Sequence, residues 1–231
     1  VPEQVPTIDE AMRIGFNLAK QKEYLKESPL MVVLSEGEHV VEGSWTDSDG
    51  TVLQNTLGIT CSNISFIGQH KDKTTVHGGI VVSNKKNVTL KNLTLTIPNE
   101  YGLYVGGEEA SVEMMSVSVK ECGKFGLLVN NGASVKATQC EFSEKGGYGV
   151  FAMKGSKGIF TDCSFQNNGK IGVVAYDEGT LVELRGEQTE IHHNRRDGLS
   201  AWSNAIINIY IPSRSITALV HDNSRDLFTV L

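Results

Sequence analysis

Proline is scarce in this chain, with five among 231 residues, while glycine is abundant at 24. That imbalance excludes a proline-rich linker and points to repeated tight turns. Cysteine is too sparse for a disulfide scaffold: Cys61, Cys122, Cys140 and Cys163 are the full complement. No apolar run approaches the roughly 18 residues that cross a bilayer, and a long one such as Met31 to Leu34 falls far short. An excess of basic residues is missing too. The 21 Lys and Arg against 27 Asp and Glu give a formal charge of −6, which argues against a nucleic-acid partner. Apolar residues at 39% and charged residues at 21% exclude disorder and collagen. The start, Val-Pro-Glu-Gln-Val-Pro, has neither an initiator Met nor an apolar signal core. It reads as trimmed, and it leaves secreted and intracellular locations both open.

What is present is a repeat. Aligned on Gly79, Gly102, Gly126, Gly149, Gly172 and Gly198, the chain shows gaps of 23, 24, 23, 23 and 26 residues. Each segment reads as a short strand, a polar turn and a second strand, and a weaker copy starts at Gly58. A helix-free unit of this size winds as one coil of a solenoid, each strand pairing in parallel with its copy one coil later. Strand twist makes such crossovers right-handed. Ile80, Leu103, Leu127, Val150, Val173 and Leu199 follow the glycines by one residue; Val82, Val105, Val129, Ala152, Ala175 and Ala201 follow by three. Both columns are apolar, as inward positions of a period-2 strand must be. The expected fold is all-β, a right-handed parallel β-helix of about 23-residue coils with an N-terminal capping α-helix.

The remaining columns refine this. Ser116, Cys140 and Cys163 each follow their glycine by 14 residues, which predicts a stack about 4.8 Å apart. A ladder of buried small side chains is expected there, and a Cys140–Cys163 disulfide is geometrically conceivable. No histidine shares the column, so no metal is expected, and nothing implies a cofactor. Thr7-Ile8-Asp9-Glu10 is a capping-box pattern. Ile8, Ala11, Met12, Gly15 and Ala19 then mark one helical face in a segment running to about Lys26. One domain is expected over 1–231: a capping helix in 1–28, coils in 29–211, and a segment in 212–231 that closes the far end or folds back. Met31 to Val41 supplies the first strands, with Gly43 to Asn55 as a polar excursion.

The coil pattern resembles the right-handed β-helix superfamily of pectate lyases, polygalacturonases and alginate epimerases. It is most similar to the generic parallel β-helix repeat modules of carbohydrate-binding proteins and sugar hydrolases. The resemblance covers about Val32 to Ile211 and rests on fold-determining positions, so it specifies architecture rather than activity. The enzyme motifs are missing. Asn-Thr-Asp, Asp-Asp, Gly-His-Gly and Arg-Ile-Lys of polygalacturonases do not occur, nor does Asp-Pro-His-Glu of the epimerases. No cluster of acidic calcium ligands with a basic arginine is found. His77-Gly78-Gly79 reads as a turn.

The outward columns are the more informative. Two residues after each glycine stand Val81, Tyr104, Leu128, Phe151, Val174 and Ser200; four after stand Ser83, Gly106, Asn130, Met153, Tyr176 and Trp202. This apolar and aromatic face suits an interaction or a covered surface. Three occupants fit it: the C-terminal tail, another protein or subunit, or sugar rings stacked on Tyr104, Tyr176 and Trp202. Aliphatic side chains are interleaved with the aromatic ones, which favours protein over sugar. Tyr104, Leu128, Phe151, Met153, Val174, Tyr176 and Trp202 are the candidate binding residues, and an oligomer through this face is possible.

Acidic residues lie in the turns beyond it. Glu108 and Glu109 are three coils, about 14 Å, from Asp177 and Glu178, too far for a glycosidase pair. Asp177 and Glu178 can pair with Lys154 one coil away, although solvated turn charges are the plainer reading. The run Ile191 to Asp197 holds His192 and His193 without an evident carboxylate to orient them. Its Asn194 aligns with Asn168 and predicts an asparagine stack. Asn63, Asn87 and Asn92 open N-glycosylation patterns, Asn92 being expected mid-strand. The first reading is thus a non-catalytic module that meets a protein or a glycan. The alternative is a polysaccharide-active lyase, hydrolase or epimerase using Asp177, Glu178, Lys154 and His193.

Overall fold

The computed structural model describes residues 5–47, 49–143, 146–211, 219–224 and 228–230. Among them, three parallel sheets of eight strands each wrap one core, as the column chemistry requires. One coil shows the path. Val88–Lys91 lies in the first sheet, Thr94–Thr96 in the second and Leu103–Gly106 in the third, before Ser111–Met115 returns to the first. The third-sheet register pairs Ile80, Leu103, Leu127, Val150, Val173 and Leu199 in one file, and all are at most 2% exposed. Phe142, Phe160 and Phe165 fill the middle of the core, with Phe142 and Phe165 stacked at 5.3 Å.

The helix spans Ile8–Gln21, five residues shorter than expected at its far end. Thr7 caps it by accepting the Glu10 N–H at 3.1 Å, and Asp9 ties it to the first coil by accepting the Glu42 and Gly43 N–H groups. Ile8, Met12 and Gly15 face the core. A side chain at 15 would begin 2.9 Å from Leu30, so glycine sets how closely the helix lies on the solenoid end. No helix among the described residues is long and apolar enough to cross a membrane.

Three expectations of register need correction. Gly79 pairs with Thr56, and Gly58 pairs with Val81, two positions later than the glycine alignment placed it. The reason is Trp45. The polar excursion folds as an antiparallel hairpin, Ser44–Thr46 with Val52–Gln54, and a Cβ on Gly58 would lie 2.7 Å from the Trp45 ring. Ser116 stands beside Gln139, not Cys140, because the turn from 107 to 110 holds one residue more than its successor from 131 to 133. The column of Cys140 and Cys163 therefore continues to Val117. Asn92 is not mid-strand. It turns the corner between first and second sheets at φ 55°, as Ser116, Gln139 and Asp162 do on later coils.

The four cysteines are free and buried. Burial pushes the Cys122 thiol up to about 12, and burial with the Cys140 thiol beside it raises Cys163 as well. The asparagine stack forms and is longer than the sequence suggested. Asn168 donates to Asn194 at 2.9 Å, and Asn194 donates to Asn223 at 2.8 Å. Past Ile211 the coil resumes: Val220–His221 pairs in parallel with Ile191–His192, and Phe228–Val230 with Leu199–Ala201. The expectation that the tail lies over the outward face falls largely on residues 212–218, 225–227 and 231, outside the described residues.

Candidate functional site

The outer face of the third sheet carries a continuous line of rings. Trp45 of the hairpin contacts Tyr104 at 6.3 Å, and Tyr104 contacts Tyr101 at 6.4 Å. Tyr101, Phe125 and Tyr148 then stack nearly parallel, at 5.6 and 5.2 Å with interplanar angles of 13° and 12°. Phe151 meets both Phe125 and Tyr148 edge-on and leads to Tyr176, whose ring stands at 84° to Trp202. Each of the eight rings is half-buried. From Tyr104 to the level of Ser200 the ribbon climbs four coils, about 19 Å at the spacing of parallel strands.

Local geometry explains the placement. Odd and even positions of each strand alternate between core and surface, so one fixed register puts Tyr104, Leu128, Phe151, Val174 and Ser200 in a single outward file. Gly106 lets the Tyr104 ring lie flat, since a Cβ there would sit 2.5 Å from the phenol oxygen. Tyr101, Phe125 and Tyr148 precede Gly102, Gly126 and Gly149 by one residue. In the sequence their signal is the column one residue before the glycines, beside the outward columns that follow them.

Two candidates change character. Val174 is 0% exposed and Leu128 8% exposed, so neither is available for contact as it stands. Both lie in file between bulkier neighbours, Val174 beside Phe151 and Leu128 between Tyr104 and Phe151. Tyr104, Phe151, Met153, Tyr176 and Trp202 keep accessible surface. Two shielded polar atoms of the outermost column, Asn130 Oδ1 and Trp202 Nε1, have no hydrogen-bond partner among the described residues.

The polar candidates do not converge. Lys154, Asp177 and Glu178 sit in turns at the trailing edge of the third sheet, and among the described residues no ion pair joins them. His193 lies before the leading edge, with the ribbon between. Carboxylates do flank the cluster: Glu190 lies 3.8 Å from His192 Nε2, and a second reaches it from a distant segment. His221 and Asp222, brought in by the resumed coil, place Asp222 2.8 Å from His221 Nδ1, while His192 stacks on His221 at 5.2 Å and approaches His193 at 2.7 Å. Burial, then the charges of His193 and His221, hold His192 below the usual imidazole range. Elsewhere a polar groove of about 430 Å³ opens over the second sheet, lined by residues including Lys71, Gln139, Glu141, Asp162 and Gln166. Glu141 accepts from Gln166 at 3.1 Å and from Ser143 at 2.9 Å, with Lys71 at 3.8 Å. Among the described residues, no group of three or more His, Cys, Asp or Glu side chains could hold a metal ion.

Three-sided parallel coils with an aromatic outer face define a β-helix of the class that includes both polysaccharide enzymes and binding or assembly proteins. The family described as "Right handed beta helix region" matches residues 78–218, and the chain belongs to it. No curated protein matches in sequence. Among solved structures, ORF18 of Geobacillus virus E2 is similar at 14% identity and a TM-score of 0.51, over 86% of this chain and 50% of that one. The A-module of mannuronan C-5 epimerase AlgE6 from Azotobacter vinelandii is similar at 14% identity and a TM-score of 0.51, over 98% of this chain and 76% of that one. This chain thus spans half the length of the viral protein and about three quarters of the epimerase module. At such identity the likeness concerns fold.

Proposed function

We propose that this β-helix is a non-catalytic binding or assembly module whose third-sheet face meets another protein. The supporting observation is how the rings are used. A sugar stacks on a free aromatic face, and Tyr101, Phe125 and Tyr148 spend their faces on one another at 5.2–5.6 Å, too close for a pyranose between them. What the ribbon offers outward is a row of ring edges and phenol groups, with Met153 beside them. Aromatic and Met side chains are enriched in the cores of protein interfaces.

The test is a size measurement with paired variants. Light scattering and cross-linking of the intact chain and of Phe151→Ser and Tyr176→Ser, before and after addition of candidate protein partners, report association through the face. Association lost in both variants, with far-UV circular dichroism retained, is the expected result; association indifferent to both refutes the reading. A polysaccharide-active reading has one observation in its favour, the groove beside Glu141 and Lys71. Product formation from acidic or neutral polysaccharides that disappears in Glu141→Gln would replace the module reading with the enzymatic one.

A further inference from the structure

The two margins of the ribbon are chemically unlike. On the leading edge, backbone hydrogen bonds string Glu100, Lys124, Gly147, Lys170 and Arg196 into one column. Lys124 N–H donates to Glu100 at 3.2 Å, Tyr148 N–H to Lys124 at 3.2 Å, Lys170 N–H to Gly147 at 3.0 Å, and Arg196 N–H to Lys170 at 3.0 Å. This column runs one residue before the stacked rings. Its lysines reach over them: Lys124 Nζ is 5.2 Å from the Tyr101 ring and Lys170 Nζ is 4.9 Å from the Tyr148 ring.

Lys124 is already held by Glu100 at 2.7 Å. Lys170 and Arg196, with Arg195 beside them, have no carboxylate partner among the described residues. In a chain whose formal charge is −6, that is a local reversal of sign next to an apolar surface. At the trailing edge of the ribbon's own coils Glu108, Glu109, Asp177 and Glu178 outnumber Lys154, with Lys85 and Lys86 in the turn one coil below. A uniformly acidic ligand would meet repulsion there and would leave the rings uncovered. A ligand acidic along one side and apolar along the other satisfies both margins.

We infer that the ribbon receives an acidic amphipathic segment of a partner protein, its carboxylates along Lys170 and Arg196 and its apolar side chains on Phe125, Tyr148 and Phe151. The inference rests on the protein-partner reading above. Lys170 and Arg196, on adjacent coils, are about 4.8 Å apart along the solenoid. Side chains three or four residues apart on a helix are separated by about 5–6 Å, so a pair of carboxylates at that spacing matches Lys170 and Arg196.

The probe is a phage-displayed library of random 16-residue peptides selected on the intact chain. Enriched peptides are resynthesised with a fluorophore and measured by anisotropy. The expected peptides carry two or more Asp or Glu three or four residues apart on one side of an apolar row. Their affinity should fall about tenfold or more in Lys170→Glu/Arg196→Glu and hold in Lys136→Glu on the first sheet. Peptides without acidic preference, weakened by Phe151→Ser but not by the double reversal, overturn this inference and leave the protein-partner reading standing. No enrichment, or peptides indifferent to Phe151→Ser as well, overturns both. Tyr176→Ser repeats the comparison should Phe151→Ser fail to fold.

Discussion

Asn194 is the residue whose removal the fold should feel most sharply for its size. It is 1% exposed and its side chain takes part in four hydrogen bonds. Its amide donates to Phe165 O at 3.0 Å and to Asn223 at 2.8 Å; its carbonyl accepts from the Asn168 N–H at 3.1 Å and the Asn168 amide at 2.9 Å. In Asn194→Ala all four vanish, and the small side chain offers nothing in return. At about 1 kcal/mol net for each bond, the sum is about 4 kcal/mol. The Asn168 amide keeps its bond to Phe142 O at 3.2 Å, which lowers the expected loss to about 3 kcal/mol. Urea unfolding followed by far-UV circular dichroism measures it. Asn223→Ala, at the half-buried end of the ladder, should cost about half as much. A loss below about 1 kcal/mol for Asn194→Ala would mean that water replaces the ladder without penalty, and the account of the stack as a buried, cooperative element would be wrong.

The histidine cluster makes the last described coil acid-sensitive. His192 is held low in the folded chain, so folding favours its neutral form; that contribution is full above the ordinary value near 6.5 and is lost as pH falls below it. Asp222, lowered chiefly by its hydrogen bond to His221, adds a loss at still lower pH. Hydrogen exchange at the Val220 and His221 amides should therefore quicken, beyond the intrinsic pH effect, between pH 7.5 and 5.5, and His192→Gln should flatten the change. Gly58→Val should undock the hairpin, because the new side chain occupies the place of the Trp45 ring; a red-shifted tryptophan emission and a loss of about 1–3 kcal/mol are expected, and unchanged emission would refute the packing. The four thiols should resist a thiol reagent at pH 8 in the native chain and react together in urea, because burial shuts the reagent out of all four and raises Cys61, Cys122 and Cys163.

The fold was legible because a solenoid writes its core as columns, and the glycines mark one column on nearly every coil. Reading went wrong where a local insertion shifts the frame. The extra residue between Gly106 and Ser111 moved Ser116 out of the cysteine file, and Trp45 demanded a glycine at 58 that mimicked the repeat. Counting from glycines registers the first only as the 24-residue gap after Gly102, without placing it in the turn, and it misses the second. The outward face was half legible. Its apolar character follows from alternation, but the burial of Val174 and Leu128 depends on how the larger neighbours lean. The approach of His221 and Asp222 to His192 was not legible at all. It joins segments nearly thirty residues apart, where the spacing of the repeat has already failed.

A three-sided coil also constrains what chemistry such a chain can assemble. Residues in one column recur at about 4.8 Å, and residues on different sheets are held apart by the core. An acid and a base meet only if they share a face or flank one corner. On the third sheet that meeting ground is occupied: Phe151 and Tyr176 stand between the trailing-edge carboxylates and His193, and their rings contact each other at 6.3 Å. A hydrolytic pair across this face would need carboxylates where those rings are, within the roughly 6.5–9.5 Å an inverting mechanism allows. The second sheet has the opposite character, with Glu141, Gln166 and His192 outward on neighbouring coils and Lys71 close by. Among the described residues, the centre of the aromatic face holds phenols but no carboxylate or imidazole. Recognition through the rings therefore asks less of this chain than catalysis on that face.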